Sequence, residues 1–444
     1  MIKYLFKQRC KMSQPTQKTE SEGFTPSPEF LSRQKRIDDA INLRKPDRIP
    51  VAPLVFMFYP TRVKGISNKV AMYDRATAYQ AYKEVVLKHN WDAAPPPGSH
   101  PASRPLEIMG MKQLKWPGGA LSDNQSFQWV EDEYMKQDDY DEVLADPNGF
   151  AVKKFWPRIS TTLAAVSDMA QMPPLPLLFL SESYSLPMVF GKMLSAPPMR
   201  ELLKKALELA DAYTEVKEAA VHYSMEMMNL GFPVLFGSIV LTAFDYISSC
   251  FRGMKGSMLD MYQVPDKLLA FIDMFTPLPV WSAVMQAQAT GNKGVLIPMH
   301  RGAAGFMSDK QFVKFYLPSF KALILGLIDA GLTPIPIFEG DYTPRLDYLA
   351  ELPAKKVIGH FDVVDRKKAK EKIGNVMCFW GNVPNSLLCT GTPQQIKDDV
   401  KELIDIFGHD GGLIVDAAMG IPDEAKPENV AALTETVMEY GLYK

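Results

Sequence analysis

The stretch that decides the fold contains three segments, NVMCFWG (375–381), PQQIKDDVKELIDIF (393–407) and GLIVD (412–416). The first and last are short apolar runs typical of buried strands, whereas the middle segment has apolar residues at helical spacing. Thr392 precedes the helical segment as an N-cap residue, and Gly408 follows it as a helix-ending glycine. This order predicts two parallel strands joined by a helical crossover.

The same alternation continues towards the N-terminus. A second crossover helix is predicted over Lys310–Ala330, after a Ser308-Asp309 cap. Eight strands are predicted in all, near Arg48–Phe56, Trp91–Pro95, Pro233–Val240, Val295–His300, Thr333–Glu339, Lys356–Phe361, Asn375–Gly381 and Gly412–Asp416. Eight is the number that a closed barrel needs, so we expect an α/β protein with a (β/α)8 TIM barrel. Leu177–Leu180, after the proline-rich Pro173–Pro176, is a ninth candidate strand that weakens this count.

Two parts of the chain stand outside this pattern. Residues 1–28, rich in polar residues and proline beyond residue 10, predict a flexible leader. Residues from about 97 to 231 form a long insertion between the second and third strands. The insertion holds the aromatic and acidic stretch Trp129–Tyr134 and an amphipathic helix from about Met199 to Leu230. We expect a single barrel domain over residues 29–444 that includes this insertion.

Composition and charge exclude several classes of protein. Lys and Arg total 49 against 51 for Asp and Glu, so the basic surplus of a nucleic-acid-binding protein is missing. The apolar stretch Phe232–Phe244 is interrupted by polar residues and is shorter than the roughly 20 residues of a membrane helix. The N-terminus lacks the apolar region of a secretory signal. The four cysteines are widely spaced and predict neither disulfides nor a local metal site. We expect a cytoplasmic protein.

Short motifs in the C-terminal third resemble the uroporphyrinogen decarboxylase superfamily. They are Gly381–Pro384, Gly391–Ile396, Gly411-Gly412, Gly420–Pro422 and Pro427–Val430, and the likeness extends back through Phe306–Phe312 and Phe315–Pro318 to Asp47–Val51. The resemblance implies a (β/α)8 barrel and one of two chemistries. One is cofactor-free decarboxylation of the acetate arms of a tetrapyrrole, and the other is methyl transfer between a corrinoid and a thiol activated by zinc.

The decarboxylase branch implies three elements that this sequence lacks. Paired arginines in an RQAGR element are expected after the first strand to hold carboxylates, but Phe56–Arg62 offers a single arginine. An aspartate is expected after the second strand and a histidine in a GHGI turn after the eighth. Those positions read Gly98–His100 and Ala418–Ile421. Uroporphyrinogen itself is therefore not the expected substrate.

The methyltransferase branch implies a zinc site, built on an HxCGN element after the fifth strand and a cysteine in a CGIP turn. The corresponding residues are Ile337–Asp341 and Met419–Pro422, so both thiols are replaced. Pro50–Pro53 and the apolar residues that follow the first strand still place the chain closer to the corrinoid-dependent methyltransferase-like branch than to true uroporphyrinogen decarboxylase.

The ends of the predicted strands supply candidate site residues, because barrel enzymes carry their chemistry there. Glu339, Asp341 and His300 are the catalytic candidates. His300, Glu339 and His360 are the candidate ligands for zinc or a harder divalent ion. A histidine at a strand end can equally hold loop backbone. The candidate substrate-binding residues are Arg301, Arg252, His100, Asn382 and Met419, although Asn382 is also typical of a turn.

These residues favour methyl transfer from a methylated or methoxylated small substrate. The chain contains no DxHxxG element, so the corrinoid is expected on a separate carrier protein. One alternative is a cofactor-free decarboxylase of a porphyrinogen or another carboxylic acid, in which Arg301 or Arg252 holds the carboxylate. The second alternative is a non-catalytic member that binds a tetrapyrrole or a partner protein. The family resemblance also implies a homodimer.

Overall fold

The computed structural model describes residues 24–55, 58–98, 100–166 and 185–443. Its centre is a six-stranded parallel sheet whose strands follow one another in chain order. The strands are Ser238–Ile239, Gly294–Met299, Thr333–Asp341, Ile358–Val363, Cys378–Trp380 and Leu413–Ile414. They lie at the positions predicted for the third to the eighth strand, and these ordinal numbers are used below.

Two further extended segments, around residues 50–52 and 92–94, close this sheet into a barrel. The first pairs with the eighth strand, and the second lies between the first segment and the third strand. The closing backbone hydrogen bonds run from Val415 N to Pro50 O (2.9 Å), from Ala52 N to Val415 O (3.2 Å), from Asp92 N to Val51 O (2.7 Å) and from Ala94 N to Pro233 O (2.8 Å). The predicted (β/α)8 barrel is therefore confirmed.

A buried carboxylate, Asp92, stabilises the closed barrel. Asp92 is fully buried and accepts a hydrogen bond from Val51 N at 2.8 Å. It also pairs with Arg48 at 2.7 Å and with Arg36 at 2.6 Å. Arg36 belongs to the helix Pro28–Ile41, so this single side chain ties that helix to the first two barrel segments.

The barrel interior is apolar below its carboxyl end. Side chains alternate across a strand, so every second residue points inward. The interior cluster is formed by Ile37, Ala40, Ala52, Leu54, Ala93, Phe236, Leu296, Ile335, Ile337, Ile358, Cys378, Trp380 and Ile414. Ile37 and Ala40 come from the helix Pro28–Ile41, which therefore packs against this apolar interior.

Helices cover the outside of the barrel and connect its strands. Their bounds are Pro28–Ile41, Tyr59–Arg62, Asn68–Tyr73, Arg75–His89, Ser103–Met109, Tyr140–Ala145, Pro147–Phe150, Trp156–Ile159, Leu186–Ser195, Pro197–Asn229, Ala243–Tyr246, Gly253–Gln263, Pro265–Phe275, Pro277–Thr290, Asp309–Gln311, Leu317–Asp329, Leu346–Leu349, Arg366–Ile373, Asn385–Thr390, Pro393–Phe407 and Pro427–Tyr440. Tighter, 3₁₀-helical turns span Gln137–Asp139, Leu163–Ala165, Thr343–Arg345 and Gly408–Asp410. Wider, π-helical turns span Ala151–Phe155, Ile247–Phe251 and Phe312–Tyr316.

The two predicted crossover helices are present. Pro393–Phe407 has the predicted bounds, and the Thr392 hydroxyl accepts a hydrogen bond from the backbone of Gln395 as its cap. The second is divided into Asp309–Gln311, a wider turn and Leu317–Asp329. Its Ser308 cap is also as predicted.

The insertion between the second and third strands is partly described. It includes a short antiparallel pair of strands, Leu114–Lys115 with Gln128–Trp129. It ends in the long helix Pro197–Asn229, close to the predicted bounds. The ninth strand candidate, Pro173–Leu180, and residues 1–23 of the predicted leader lie outside the described residues.

Two described helical stretches, Pro265–Thr290 and Asp309–Asp329, are long and apolar enough to cross a membrane by composition. Each connects two neighbouring parallel strands of the one barrel, the first the third strand to the fourth and the second the fourth to the fifth. The connection between two parallel strands must bring the chain back to the end of the sheet where the first strand began, and a crossover helix does this. Both stretches therefore serve as barrel crossovers.

Candidate active site

Strand alternation places a layer of polar side chains at the carboxyl end of the barrel. Ile337 of the fifth strand pairs with Pro298 of the fourth. His300 and Glu339 each lie two residues further on, so they share one side of the sheet. Asp362 continues the same alternation after His360, and the Asn382 side chain lies next to it, where its amide donates to Asp362 O. This layer, His300, Glu339, Asp362 and Asn382, is called the mouth below.

His300 and Glu339 are neighbours in the mouth. His300 Nε2 lies 3.7 Å from Glu339 Oε1, and both side chains are about one-third exposed. Ser249 Oγ lies 3.0 Å from His300 Nδ1 and orients the ring. Burial raises the pKa of Glu339 above its ordinary value; His300 opposes this shift, and the carboxylates of Asp245 and Asp362 add to it. Glu339 therefore keeps its proton to higher pH than an ordinary carboxyl group, as a general acid requires.

Asp245 is a further site residue, and no strand-end pattern predicts it. Its carboxylate accepts a hydrogen bond from Arg301 N at 2.9 Å, next to His300 in the chain. It also accepts from the hydroxyls of Thr242 and Tyr316, and burial raises its pKa. The only sequence signal is the Thr242-x-x-Asp245 spacing of a helix cap, which does not predict contact with the loop after the fourth strand.

His360 and Asp416 form a buried pair one layer beneath the mouth. Neither side chain is exposed, and His360 Nε2 lies 3.0 Å from Asp416 Oδ2. Asp416 also accepts hydrogen bonds from Leu54 N at 2.8 Å and Ala417 N at 2.6 Å. His360 Nδ1 accepts no hydrogen bond from any described residue. A buried polar atom without a partner costs roughly 1–3 kcal/mol, so this nitrogen is a notable exception.

Comparison with known families adds the deciding observation. The family model described as uroporphyrinogen decarboxylase (URO-D) matches residues 203–440, more than half of the 444 residues. The chain belongs to the uroporphyrinogen decarboxylase family. The matched region contains the third to the eighth strand of the barrel, and therefore the mouth and the His360–Asp416 pair.

Similar proteins lie in two groups. Uroporphyrinogen decarboxylases from Neisseria gonorrhoeae and Syntrophotalea carbinolica are 28% identical over 183 residues and 27% identical over 177 residues. Each match covers 40% of this chain, and the chain spans about half the length of these curated relatives. A solved methyltransferase from Methanosarcina mazei superimposes with a TM-score of 0.61 at 16% identity, over 92% of this chain and 98% of its own. That likeness shows the shared fold.

The zinc site of the methyltransferase-like branch of this family does not fit the residues present. Glu339 and Met419 stand at its thiol positions and Ile337 at its imidazole position, and Ile337 is buried in the apolar interior. Among the described residues, no group of three His, Cys, Asp or Glu side chains is arranged to hold a metal ion. The predicted metal set is therefore not assembled, because His360 is held by Asp416 and leaves His300 and Glu339 as a pair.

Asp341 lacks the setting of a catalytic residue. It is exposed at the end of the fifth strand. Its carboxylate accepts a hydrogen bond from Thr343 N at 2.8 Å, two residues further along the chain. This contact is a turn cap, so its placement supports a structural role in place of the predicted catalytic one.

The two arginines predicted to hold a substrate carboxylate already have acidic partners. Arg252 is buried, and its guanidinium contacts both carboxylate oxygens of Asp260, at 2.6 and 3.0 Å. It also approaches Glu133 at 3.1 Å. Arg301 forms an ion pair with Glu131. For Arg252 the structure corrects the prediction, because binding a substrate carboxylate would break these pairs. Arg301 keeps a buried Nε without a hydrogen-bond partner among the described residues, so its substrate-binding role stays a prediction.

The other three predicted substrate contacts have structural partners. His100 is buried, and its Nε2 lies 2.9 Å from Ala71 O. Burial and the nearby Arg75 lower the pKa of His100 to about 3, so its imidazole is neutral and packs in the core. Asn382 donates to Asp362 O at 3.1 Å and accepts from Arg366 at 2.9 Å. Met419 packs against the apolar interior. Of these three, only Asn382 belongs to the mouth.

A concavity of about 820 Å3 lies away from the mouth, at the amino-terminal ends of the strands that begin at Gly294, Thr333 and Ile358. Its walls are the third strand and the helices Pro28–Ile41, Pro197–Asn229 and Pro277–Thr290, and its lining is largely apolar. None of the mouth residues lines it. The mouth is the candidate active site, because the acid–base groups His300 and Glu339 lie together there.

Proposed function

We propose that this protein transfers a methyl group from a methylated or methoxylated small substrate to a corrinoid held by a separate carrier protein, and that Glu339 is the proton donor. The observation that carries the proposal is the His300–Glu339 pair in the mouth, with its carboxyl group shifted towards the protonated form. The family and the fold of the Methanosarcina mazei methyltransferase support this branch of chemistry.

Glu339 suits the proton balance of such a transfer. When a methyl group leaves the oxygen or nitrogen atom of a neutral substrate, the electrons of the broken bond stay on that atom, which then needs a proton; a cationic ammonium substrate leaves as a neutral amine without one. Glu339 supplies this proton, and the partly exposed His300 at 3.7 Å can return one from solvent. The corrinoid supplies only the acceptor for the methyl group.

The charges around the mouth favour a neutral or cationic substrate over a polycarboxylate. Glu339 lies close enough to Asp245 and Asp362 for both to affect its pKa. Arg301, the cation that also acts on Glu339, is already paired with Glu131. A substrate with several carboxylates would meet these acids, while both arginines predicted as its anchors already pair with acidic side chains, which weakens the decarboxylase alternative.

The test supplies the purified protein with chemically reduced cobalamin as a free methyl acceptor and with a panel of methoxylated aromatics and methylated amines. Methyl transfer is followed through the absorption spectrum of the cobalamin. We expect transfer from at least one substrate and a loss of about 100-fold or more in Glu339→Gln. Glu351→Gln, the same change at an exposed acid paired with Lys321, is the matched control.

Other outcomes of this test point to the alternatives. Release of carbon dioxide from a carboxylic acid without methylation of cobalamin would identify a carboxy-lyase. Tight retention of a ligand without any turnover would identify a binding protein. Equal methyl-transfer rates in the wild type and in Glu339→Gln would remove Glu339 from the mechanism.

A further inference from the structure

A segment of the insertion, Gln128–Glu131, is extended and is called the strap below. Its first two residues form the short strand that pairs with Leu114–Lys115, and the backbone pairing continues one residue further along the strap. Side chains alternate along an extended chain. Trp129 and Glu131 therefore lie on the same side of the strap.

Both of these side chains are anchored on residues next to His300. Trp129 Nε1 donates a hydrogen bond to Ser249 O at 3.2 Å, and Ser249 Oγ lies 3.0 Å from His300 Nδ1. Glu131 forms an ion pair with Arg301, which follows His300 in the chain. The strap therefore lies against the part of the rim that carries His300.

The Trp129 ring is held at one edge and open elsewhere. Its N–H is bound to Ser249, yet the residue is 50% exposed. The two contacts through Ser249 place the indole nitrogen within roughly 11 Å of the His300 ring, from standard bond lengths. The side chains of His300 and Glu339 are themselves about one-third exposed. One small molecule can therefore touch both the indole and the acid–base pair.

We propose that Trp129 is a specificity-determining residue at the rim of the mouth, where its exposed ring stacks on the aromatic ring of a methoxylated substrate. The methoxy group then reaches the His300–Glu339 pair. An indole face binds either aromatic rings or cations. A quaternary ammonium ion would release an amine that needs no proton, whereas the phenolate left by an aromatic methyl ether uses the proton of Glu339. This choice of substrate class rests on the proposed function, but binding of an aromatic ring at Trp129 does not.

The first experiment follows the indole N–H signals of the full chain, labelled with 15N-tryptophan, by NMR. The Trp129 signal is assigned by its loss in Trp129→Phe. We expect 4-methoxyphenol to shift this signal, and 4-methoxycyclohexanol, which carries the same groups on a non-aromatic ring, to leave it unchanged. Trp281 is the internal control, because it is 48% exposed on the helix Pro277–Thr290, and its signal should not respond. No Trp129 response, an equal response to both ethers, or a response only to tetramethylammonium would overturn the proposal.

The second experiment measures affinities by calorimetric titration. Trp129→Leu should bind 4-methoxyphenol roughly five- to tenfold more weakly than the wild type, the effect of losing one aromatic stack. Trp129→Phe should keep most of the preference for the aromatic ether, and Trp281→Leu should bind like the wild type. Equal losses for both ethers in Trp129→Leu would contradict stacking.

These readouts need no corrinoid, so the binding site and the proposed function fail separately. Selective binding of 4-methoxyphenol without methyl transfer from any substrate would overturn the proposed function and leave the site at Trp129. Methyl transfer from an aromatic ether with the same KM in the wild type and Trp129→Leu would overturn the site and leave the proposed function.

Discussion

Burial changes the protonation of Glu339, the proposed proton donor. Its carboxyl group lies in the mouth beside one histidine and within electrostatic reach of two aspartates, Asp245 and Asp362, and burial is the largest cause of its raised pKa. A carboxylate that is costly to ionise is a poor contributor to stability at neutral pH but a suitable proton donor. The same property therefore predicts both a stability cost and a catalytic role.

Replacing Glu339 with Gln should stabilise the fold at neutral pH. The charged form is penalised in the folded state, so the penalty is present above the raised pKa and disappears below the ordinary value of 4.5, where the side chain is protonated in both states. Melting temperatures of the wild type and Glu339→Gln, measured from pH 8 down to about pH 4, should differ most at the alkaline end. A constant difference at every pH would contradict the assigned cause.

Strand alternation alone predicts some of these residues and cannot predict others. His300 and Glu339 are predictable because each ends a recognisable apolar run and faces inward by parity. The partners of His360 and Arg252 are not, because Asp416 and Asp260 reach them only through the register of the strands and the packing of a helix. The local sequence pattern of a histidine at a strand end is the same whether its side chain contacts a ligand or a buried acid.

At the scale of elements, Arg252 is a structural clamp that joins the helix following it to the insertion. It precedes the helix Gly253–Gln263, holds Asp260 on that helix, and donates to Met135 O in the insertion at 2.7 Å. Both charged side chains are buried. This arrangement connects the insertion to the barrel and explains why Arg252 is not free to hold a substrate.

Arg252→Ala should lower the free energy of unfolding by about 3–5 kcal/mol, because it leaves Asp260 buried without its partner. Arg62→Ala is the matched control, since Arg62 pairs with Glu424 on the surface. Such an exposed pair contributes about 0–1 kcal/mol. Urea denaturation measures both variants, and equal small losses would show that Arg252 is not a structural clamp.

Local signals fix some elements more securely than others. The helix Pro393–Phe407 is predicted with its observed bounds because Thr392 and Gly408 mark both ends. The helix predicted over Lys310–Ala330 contains the wider turn Phe312–Tyr316. Pro318, which follows that turn, is the local signal for the interruption, because a proline inside a helix removes a backbone hydrogen bond. Phe312, Phe315 and Tyr316 are buried, so tertiary packing accompanies this departure from regular helix.

At the scale of the whole molecule, the barrel follows from a repeated pattern of eight apolar runs and crossovers. The first two strands are the least regular, because they are isolated extended segments, and their closure depends on a few backbone hydrogen bonds together with buried Asp92. Their positions could be predicted, but the ion pairs of Asp92 with Arg36 and Arg48 join parts of the chain that no sequence spacing relates.

Proton donation by Glu339 should control the pH dependence of a single turnover of methyl transfer to reduced cobalamin. We expect a wild-type rate that falls as pH rises through the raised pKa of Glu339, and a low rate without this fall in Glu339→Gln. A wild-type rate that rises with pH, or profiles that coincide in the two proteins, would contradict it.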